Sequence, residues 1–207
     1  MRLAEVYALV PKTRIFADIG CDHGKLCKLI ADGGKAERIL AVDISEMCLS
    51  KARALLGDKA EYFLGDGLEP LNDIVPDVTV ITGMGGNTIL HILEGRILPQ
   101  LIISPQNDVY KVRETLVNCG YKIIEDKNVE ENGKFYDLIK LVPGEQNLSE
   151  LQKTFGVFFC NGDETFMRRL ARDKQRLLTY KQTDKNIKKL QLITEAEQCI
   201  KLKTLSN

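Results

Sequence analysis

Residues 16–26 read FADIGCDHGKL. The five residues Ile15 to Ile19 favour a buried strand and carry the carboxylate of Asp18. Glycines follow at 20 and 24, with Asp22 and His23 between them, and KLCKLIADGG behind the loop has a helical apolar rhythm. A strand, a glycine turn and a helix form a nucleotide-binding corner, because a helix N-terminus presents free N–H groups and a positive dipole end.

Outward from this corner, strands and helices alternate to about residue 120. Short apolar runs predict strands at 15–19, 39–43, 61–65, 77–83 and 100–104. Helices are expected at 25–31, at 46–56 with Ser45 as N-cap, at 87–93, and at 108–120, closed by Gly120. Such alternation implies a parallel sheet covered on both faces. In residues 121–142 two β-rich runs flank Asn132-Gly133, the signature of an antiparallel hairpin. The sum is an α/β fold with a seven-stranded sheet over residues 1–144. Pro143-Gly144 marks a boundary. Beyond Gly162 the chain has neither Pro nor Gly. Leu170, Leu177 and Leu178 suit one amphipathic helix, and Ile187, Leu190, Ile193, Ala196 and Ile200 a second, with Thr183-Asp184 as turn and N-cap. Residues 145–207 therefore read as a helical hairpin, with one long helix as the alternative.

The 207 residues are 44% hydrophobic and 28% charged, enough for a sizeable core in a soluble chain. No apolar run approaches the roughly 18 residues of a membrane span, and the N-terminus lacks signal-peptide architecture. The six cysteines (21, 27, 48, 119, 160, 199) include no C-x-x-C and read as reduced core residues of a cytoplasmic protein. With two histidines, His23 and His91, no metal site is expected. Net charge is zero but uneven: residues 1–144 hold 17 Lys+Arg against 21 Asp+Glu, and residues 145–207 hold 12 against 8. A basic tail on an acidic body suits a polyanion; the plainer reading is a solvated helix face, and self-association of the hairpin is a third.

The corner's chemistry narrows its ligand. The loop reads Asp18-x-Gly20-x-Asp22-x-Gly24, not the G-x-G-x-x-G of a dinucleotide site. Carboxylates there repel a pyrophosphate and favour cations. S-adenosylmethionine carries an ammonium and a sulfonium and no phosphate. Asp43, ending the second strand, suits ribose hydroxyls. Asp66, after the third, suits an adenine amino group, and Gly65 and Gly67 let backbone approach the ring. The expected cofactor set is Asp18, Gly20, Asp22, His23, Gly24, Asp43, Ile44, Asp66, Gly67 and Gly83. At the fourth strand, TGMGGN (82–87) brings Gly83, Gly85 and Gly86 to the ligand edge of the sheet, with Asn87 as a helix cap. These three glycines and Asp22 are the expected catalytic elements. In SPQND (104–108), Pro105 stiffens a loop whose Gln106 and Asn107 amides can read a base edge, and Asp108 is an expected N-cap. His23 either contacts substrate or braces the loop. His91 is expected to be structural, and Tyr136 either reaches the site or packs in the sheet.

Taken together, FADIGCDHGKL, GDGL, ITGMGG, the proline loop, KFYDLI and the helical extension near FGVFF resemble the bacterial tRNA (adenine-22-N1)-methyltransferases over nearly the whole chain. The sequence departs from that family's pattern at Gly24, where members often have Ala, and at Ser104-Pro105-Gln106-Asn107. The resemblance implies a Rossmann-like class I methyltransferase domain that uses S-adenosylmethionine, followed by a coiled-coil-like helical extension, both holding tRNA. A monomer is expected in preference to a homodimer. Arg168, Arg169 and Arg172 are the expected phosphate clamp. Two other readings stand beside it: a methyltransferase for another RNA, a small molecule or a protein, and a non-catalytic cofactor- or RNA-binding module.

Overall fold

The computed structural model describes residues 2–181 and 183–205. Seven strands form one sheet: β1 (Thr13–Ile19), β2 (Ala36–Asp43), β3 (Glu61–Leu64), β4 (Val78–Thr82), β5 (Leu101–Ser104), β6 (Tyr121–Glu131) and β7 (Lys134–Pro143). Their order is β3-β2-β1-β4-β5-β7-β6. The first five are parallel, and β7 runs antiparallel to both neighbours. The order reverses direction between β1 and β4, which opens a crevice at the carboxyl ends of those strands.

The near-continuous apolar runs follow from burial on both faces. Phe16, Ala41, Val78 and Val80 point to one core with α1 (Arg2–Leu9), α2 (Lys25–Asp32) and α3 (Glu46–Leu56). Ala17, Ile19, Val42 and Ile81 point to the other, under α4 (Gly86–Ile92) and α5 (Val109–Asn118). Asn132 and Gly133, at φ 52° and 71°, turn β6 into β7 with the positive dihedrals of a type I′ hairpin.

After the sheet come α6 (Glu150–Phe155), α7 (Glu164–Thr179) and α8 (Asp184–Leu205). The sequence pattern did not reveal α6, which a Ser149–Gln152 capping box starts. Helices α7 and α8 are two helices, not one. The Thr183 hydroxyl accepts from the Asn186 N–H at 3.3 Å at the start of α8. Phe159, Phe166, Leu170, Leu177, Ile193, Ala196 and Ile200 share a core of their own. Leu178 and Ile187, expected on the apolar faces, are exposed.

A buried ionic network fastens these helices to the sheet. Arg113 of α5 is 1% exposed. It donates to both oxygens of Asp126 at 2.9 and 2.8 Å, to Asp137 at 2.8 Å and to the Lys153 carbonyl at 3.2 Å. Arg169 of α7 adds a bond to Asp137 at 2.9 Å, and Asp126 also accepts the Val157 N–H at 2.9 Å. Burial alone would raise the Asp137 carboxyl; Arg169 and Arg113 overcome it and hold it at about 2.

Several local expectations are corrected. Asn87 lies inside α4; Gly85 is the N-cap residue, and the Gly86 N–H donates to the Asn107 side chain at 2.8 Å. Asp108 sits at the α5 N-cap in a left-handed conformation, φ 52°, without a side-chain cap bond. His91 is exposed, its Nδ1 3.6 Å from Glu94, so it does not pack on an apolar face. Of the cysteines only Cys21 and Cys27 are buried; Cys48, Cys160 and Cys199 are half-buried, Cys119 is exposed, and all are free thiols.

Removing one partner from a buried ionic network leaves an uncompensated charge. Arg113→Ala is expected to lower unfolding free energy by about 3–5 kcal/mol in urea titration. A loss below about 1 kcal/mol would show that the network contributes little to docking the helices.

Candidate functional site

A cleft of about 660 Å³ opens at the reversal of strand order. Four carboxylates line it: Asp18 of β1, Asp22 of the following loop, Asp43 at the end of β2, and Asp66 beyond β3.

The corner loop is held by backbone geometry. Gly20, Asp22 and Gly24 all have positive φ, at 72°, 50° and 71°. This contorted path presents the Asp22 N–H to Asp43 Oδ2 at 2.9 Å, while Asp43 Oδ1 accepts the Ser45 N–H at 2.9 Å. Ser45 in turn caps α3, accepting from Cys48 N at 3.3 Å. One carboxylate thus sets both the loop and the start of α3.

Asp18 is 4% exposed, and the Cys27 thiol donates to its Oδ2 at 3.6 Å. Burial pushes the Asp18 carboxyl up to about 7, against the lowering effect of that thiol bond; Asp43 and Asp22 push in the same direction as burial. A carboxylate held near neutrality in an acidic cleft is poised to ionise against a cation.

Of the expected cofactor set, Asp18, Gly20, Asp22, His23, Asp43, Ile44, Asp66, Gly67 and Gly83 line the cleft. Gly24 does not: a Cβ there would meet Ala52 and Leu56 at 2.9 Å, so it serves the packing of α2 on α3. Gly67, at φ 54°, lies where a Cβ would fall 2.9 Å from Ile92. Of the three glycines after β4, Gly83 faces the cleft, whereas Gly85 and Gly86 pack on Asn107, the latter 2.7 Å from its carbonyl at a built Cβ. Pro105 is buried, Gln106 and Asn107 are exposed, and none of the three lines the cleft. His23 both lines the cleft and braces it, its Nε2 3.0 Å from Lys51 Nζ and 3.5 Å from Asp22.

The arginines expected to hold phosphate are engaged inside the chain. Arg168 pairs with Glu130 and Glu164, and Arg169 with buried Asp137. Arg172 donates to the Gly133 carbonyl and lies 4.3 Å over the Phe135 ring. Sequence reasoning missed Arg2, Leu3, Thr82, Met84 and Thr88 as cleft residues. For Arg2 the available signal was its place ahead of an apolar helix that precedes the first strand. Among the described residues Asp22, His23 and Cys48 also present metal-type ligand atoms within 4.8 Å of one another, although the Lys51 ammonium competes for the imidazole.

This donor set fits a ligand with positive charges, hydroxyls and a flat ring. It fits S-adenosylmethionine and is unsuited to a pyrophosphate.

A family model described as a methyltransferase domain matches residues 1–139. The tRNA (adenine(22)-N(1))-methyltransferase of Bacillus subtilis is 32% identical over 158 residues, 70% of this chain and 66% of that protein. A Mycoplasma pneumoniae protein provisionally named a tRNA methyltransferase is 30% identical over 181 residues, 83% of this chain and 81% of its own length. Among solved structures, Streptococcus pneumoniae Sp1610 in complex with S-adenosyl-L-methionine superposes with TM-score 0.86 at 26% identity, over 94% of this chain and 97% of that one. M. capricolum TrmK with S-adenosyl-homocysteine gives 0.81 at 27%, over 98% and 96%.

Asp18 makes the acidity of the cleft measurable. Its folded carboxyl titrates near 7, above the ordinary carboxylate value of about 4, so folding takes up a proton between those pH values. Stability therefore falls as pH rises through that window, and the ionised group costs stability above pH 7. Asp18→Asn is expected to raise the melting temperature of ligand-free protein at pH 8 by several degrees, and to change it little at pH 4. An equal effect at both pH values would contradict the burial argument.

Proposed function

This chain belongs to the methyltransferase domain family and groups with the bacterial tRNA (adenine-22-N1)-methyltransferases, and we propose that it transfers the methyl of S-adenosylmethionine to N1 of adenine 22 in tRNA. The observation that carries this reading is one acidic cleft with a carboxylate from β1, one from β2 and one after β3, over a corner loop too acidic for phosphate.

In this reading Asp43 accepts from the ribose hydroxyls while keeping its bonds to the corner loop. Asp66 accepts from the adenine amino group, and Gly67 lets the ring lie close. Ile44, 72% exposed beside Asp43, supplies an apolar wall. Asp18 and Asp22 favour the positive charges of the methionine end. When bound, S-adenosylmethionine supplies a methyl group on a cationic sulfur. Adenine N1 has its own lone pair, so no residue need act as a strong base; what the chain supplies is alignment. The product ring is cationic, and the carboxylate of Asp22 and the backbone at Gly83 stabilise that charge. N1 lies on the Watson–Crick edge, so a paired target must be exposed first.

We assign residues 1–144 to the catalytic domain and 145–207 to tRNA holding. With Arg168, Arg169 and Arg172 committed to intramolecular partners, Lys181, Lys185 and Lys189 are the better phosphate ligands. All three are exposed and make no ion pair among the described residues. Base reading falls to the exposed Gln106 amide, since the Asn107 Oδ1 is taken by the Gly86 N–H. The protein acts as a cytoplasmic monomer; no helix among the described residues is long and apolar enough to cross a membrane.

The test is methyl transfer from labelled S-adenosylmethionine to a tRNA transcript, followed by nucleoside analysis. Label in 1-methyladenosine, lost when adenine 22 is replaced by guanine, is the expected result. Label in another nucleoside, or in none, would overturn the assignment.

A further inference from the structure

We propose that Asp22, His23 and Cys48 form a binding site for a zinc-type divalent cation beside the cleft, and that filling it weakens cofactor binding. The second part rests on the reading of the cleft as an S-adenosylmethionine site; the metal site itself does not.

The three side chains come from two places in the chain. Asp22 and His23 lie in the loop after β1, and Cys48 in the first turn of α3. Asp22 Oδ1 is their common point, 3.5 Å from His23 Nε2 and 3.6 Å from Cys48 Sγ. All three ligand atoms lie within 4.8 Å of one another. A tetrahedral zinc ion, with metal–ligand bonds of about 2.0–2.3 Å, holds its ligand atoms roughly 3.3–3.6 Å apart. The two spacings to Asp22 fit one face of such a site. A thiolate, an imidazole and a carboxylate together suit zinc, whereas magnesium and calcium take oxygen ligands. A fourth position is open to water, because the Asp22 side chain is 69% exposed.

The ligands are positioned before any cation arrives. Asp43 accepts the Asp22 and Ser45 N–H groups, each at 2.9 Å, and Ser45 Oγ accepts the Cys48 N–H at 3.3 Å. One network thus sets the backbones of Asp22 and Cys48 against each other. The ligand lone pairs already face hydrogens. The Cys48 thiol donates to Asp22 Oδ1. The Lys51 ammonium lies 3.0 Å from His23 Nε2, and since an ammonium only donates, that nitrogen accepts. A bound cation replaces both hydrogens. The thiol proton passes to water as the metal–sulfur bond forms, and Lys51, exposed on a flexible stem, turns to solvent. Lys51 is therefore a competitor for the site. Filling the site also engages the Asp22 carboxylate, which in the cofactor reading favours the positive charges of the methionine end. Metal and cofactor then weaken each other's binding by the same factor.

Cobalt(II) is the spectroscopic probe and zinc chloride the calorimetric one. A thiolate on cobalt gives a near-ultraviolet charge-transfer band, and a tetrahedral site gives intense visible bands. Wild type is expected to show both. Cys48→Ser should abolish the charge-transfer band and weaken zinc binding at least about tenfold. His23→Gln, as a second variant, should weaken zinc binding by a similar factor and keep the band at higher cobalt. Lys51→Ala should tighten zinc binding about two- to fivefold, because the competing ammonium is gone. Circular dichroism of the metal-free variants is expected to match wild type. S-adenosylhomocysteine, titrated with and without zinc, should bind wild type about fivefold or more weakly with the metal present, and Cys48→Ser equally in both. A band absent from wild type, or one that survives in Cys48→Ser, would overturn the site. Unchanged S-adenosylhomocysteine affinity in protein that shows the band would overturn the antagonism. Protein that shows the band but binds no S-adenosylhomocysteine when metal-free would overturn the cofactor reading and leave the metal site standing.

Discussion

Five parallel strands end on one edge, and that geometric constraint governs the rest of the molecule. Helices cover both faces of the sheet, so its polar business is confined to the strand ends. Where the order reverses between β1 and β4, the flanking helices diverge and leave a crevice. Asp18, Asp43 and Asp66 reach it from β1, from the end of β2 and from beyond β3. The acidic cleft follows from topology plus three well-placed residues.

Its acidity has a structural cost that the fold meets in two ways. Asp43 is satisfied by two backbone N–H groups, and so serves as scaffold on the wall of the cleft. Among the described residues Asp18 has only the weak thiol donor of Cys27, and its carboxyl rises to about 7 instead. Asp137 shows the opposite solution. That carboxylate is equally buried, yet Arg113 and Arg169 hold it ionised. One buried acid is paired for architecture; the other is left short of partners on the wall of the cleft. Along β7, Asp137 anchors the helices and the ring of neighbouring Tyr136 lies under the Arg2 guanidinium.

Much of this was legible in the sequence, for physical reasons. The strand and helix alternation, the Asn132-Gly133 hairpin and the strand-end acids depend on local periodicity and turn chemistry. What was missed depends on tertiary partners. Arg113 looks like any helix-surface cation, and only the fold brings Asp126 and Asp137 to it. Arg168, Arg169 and Arg172 sit in a basic stretch that reads as a polyanion clamp, but the side facing the hairpin consumes them. Gly24, Gly85 and Gly86 share a motif signature with Gly20 and Gly83, yet serve close packing. Asn107 reads as a base-reading amide and instead caps the backbone of α4. Arg2 precedes every recognisable motif and reaches the cleft only because α1 folds back against β6.

Function here depends on one placement: a methyl donor bound in the acidic cleft at the β1–β4 crevice. A crystal structure of this protein with S-adenosylhomocysteine tests it most directly. Ligand density with ribose hydroxyls on Asp43, adenine beside Asp66 and Gly67, and the amino-acid end over the Gly20 loop is the predicted result. Density at another site, or a ligand reversed so that adenine lies over the Gly20 loop, would contradict it.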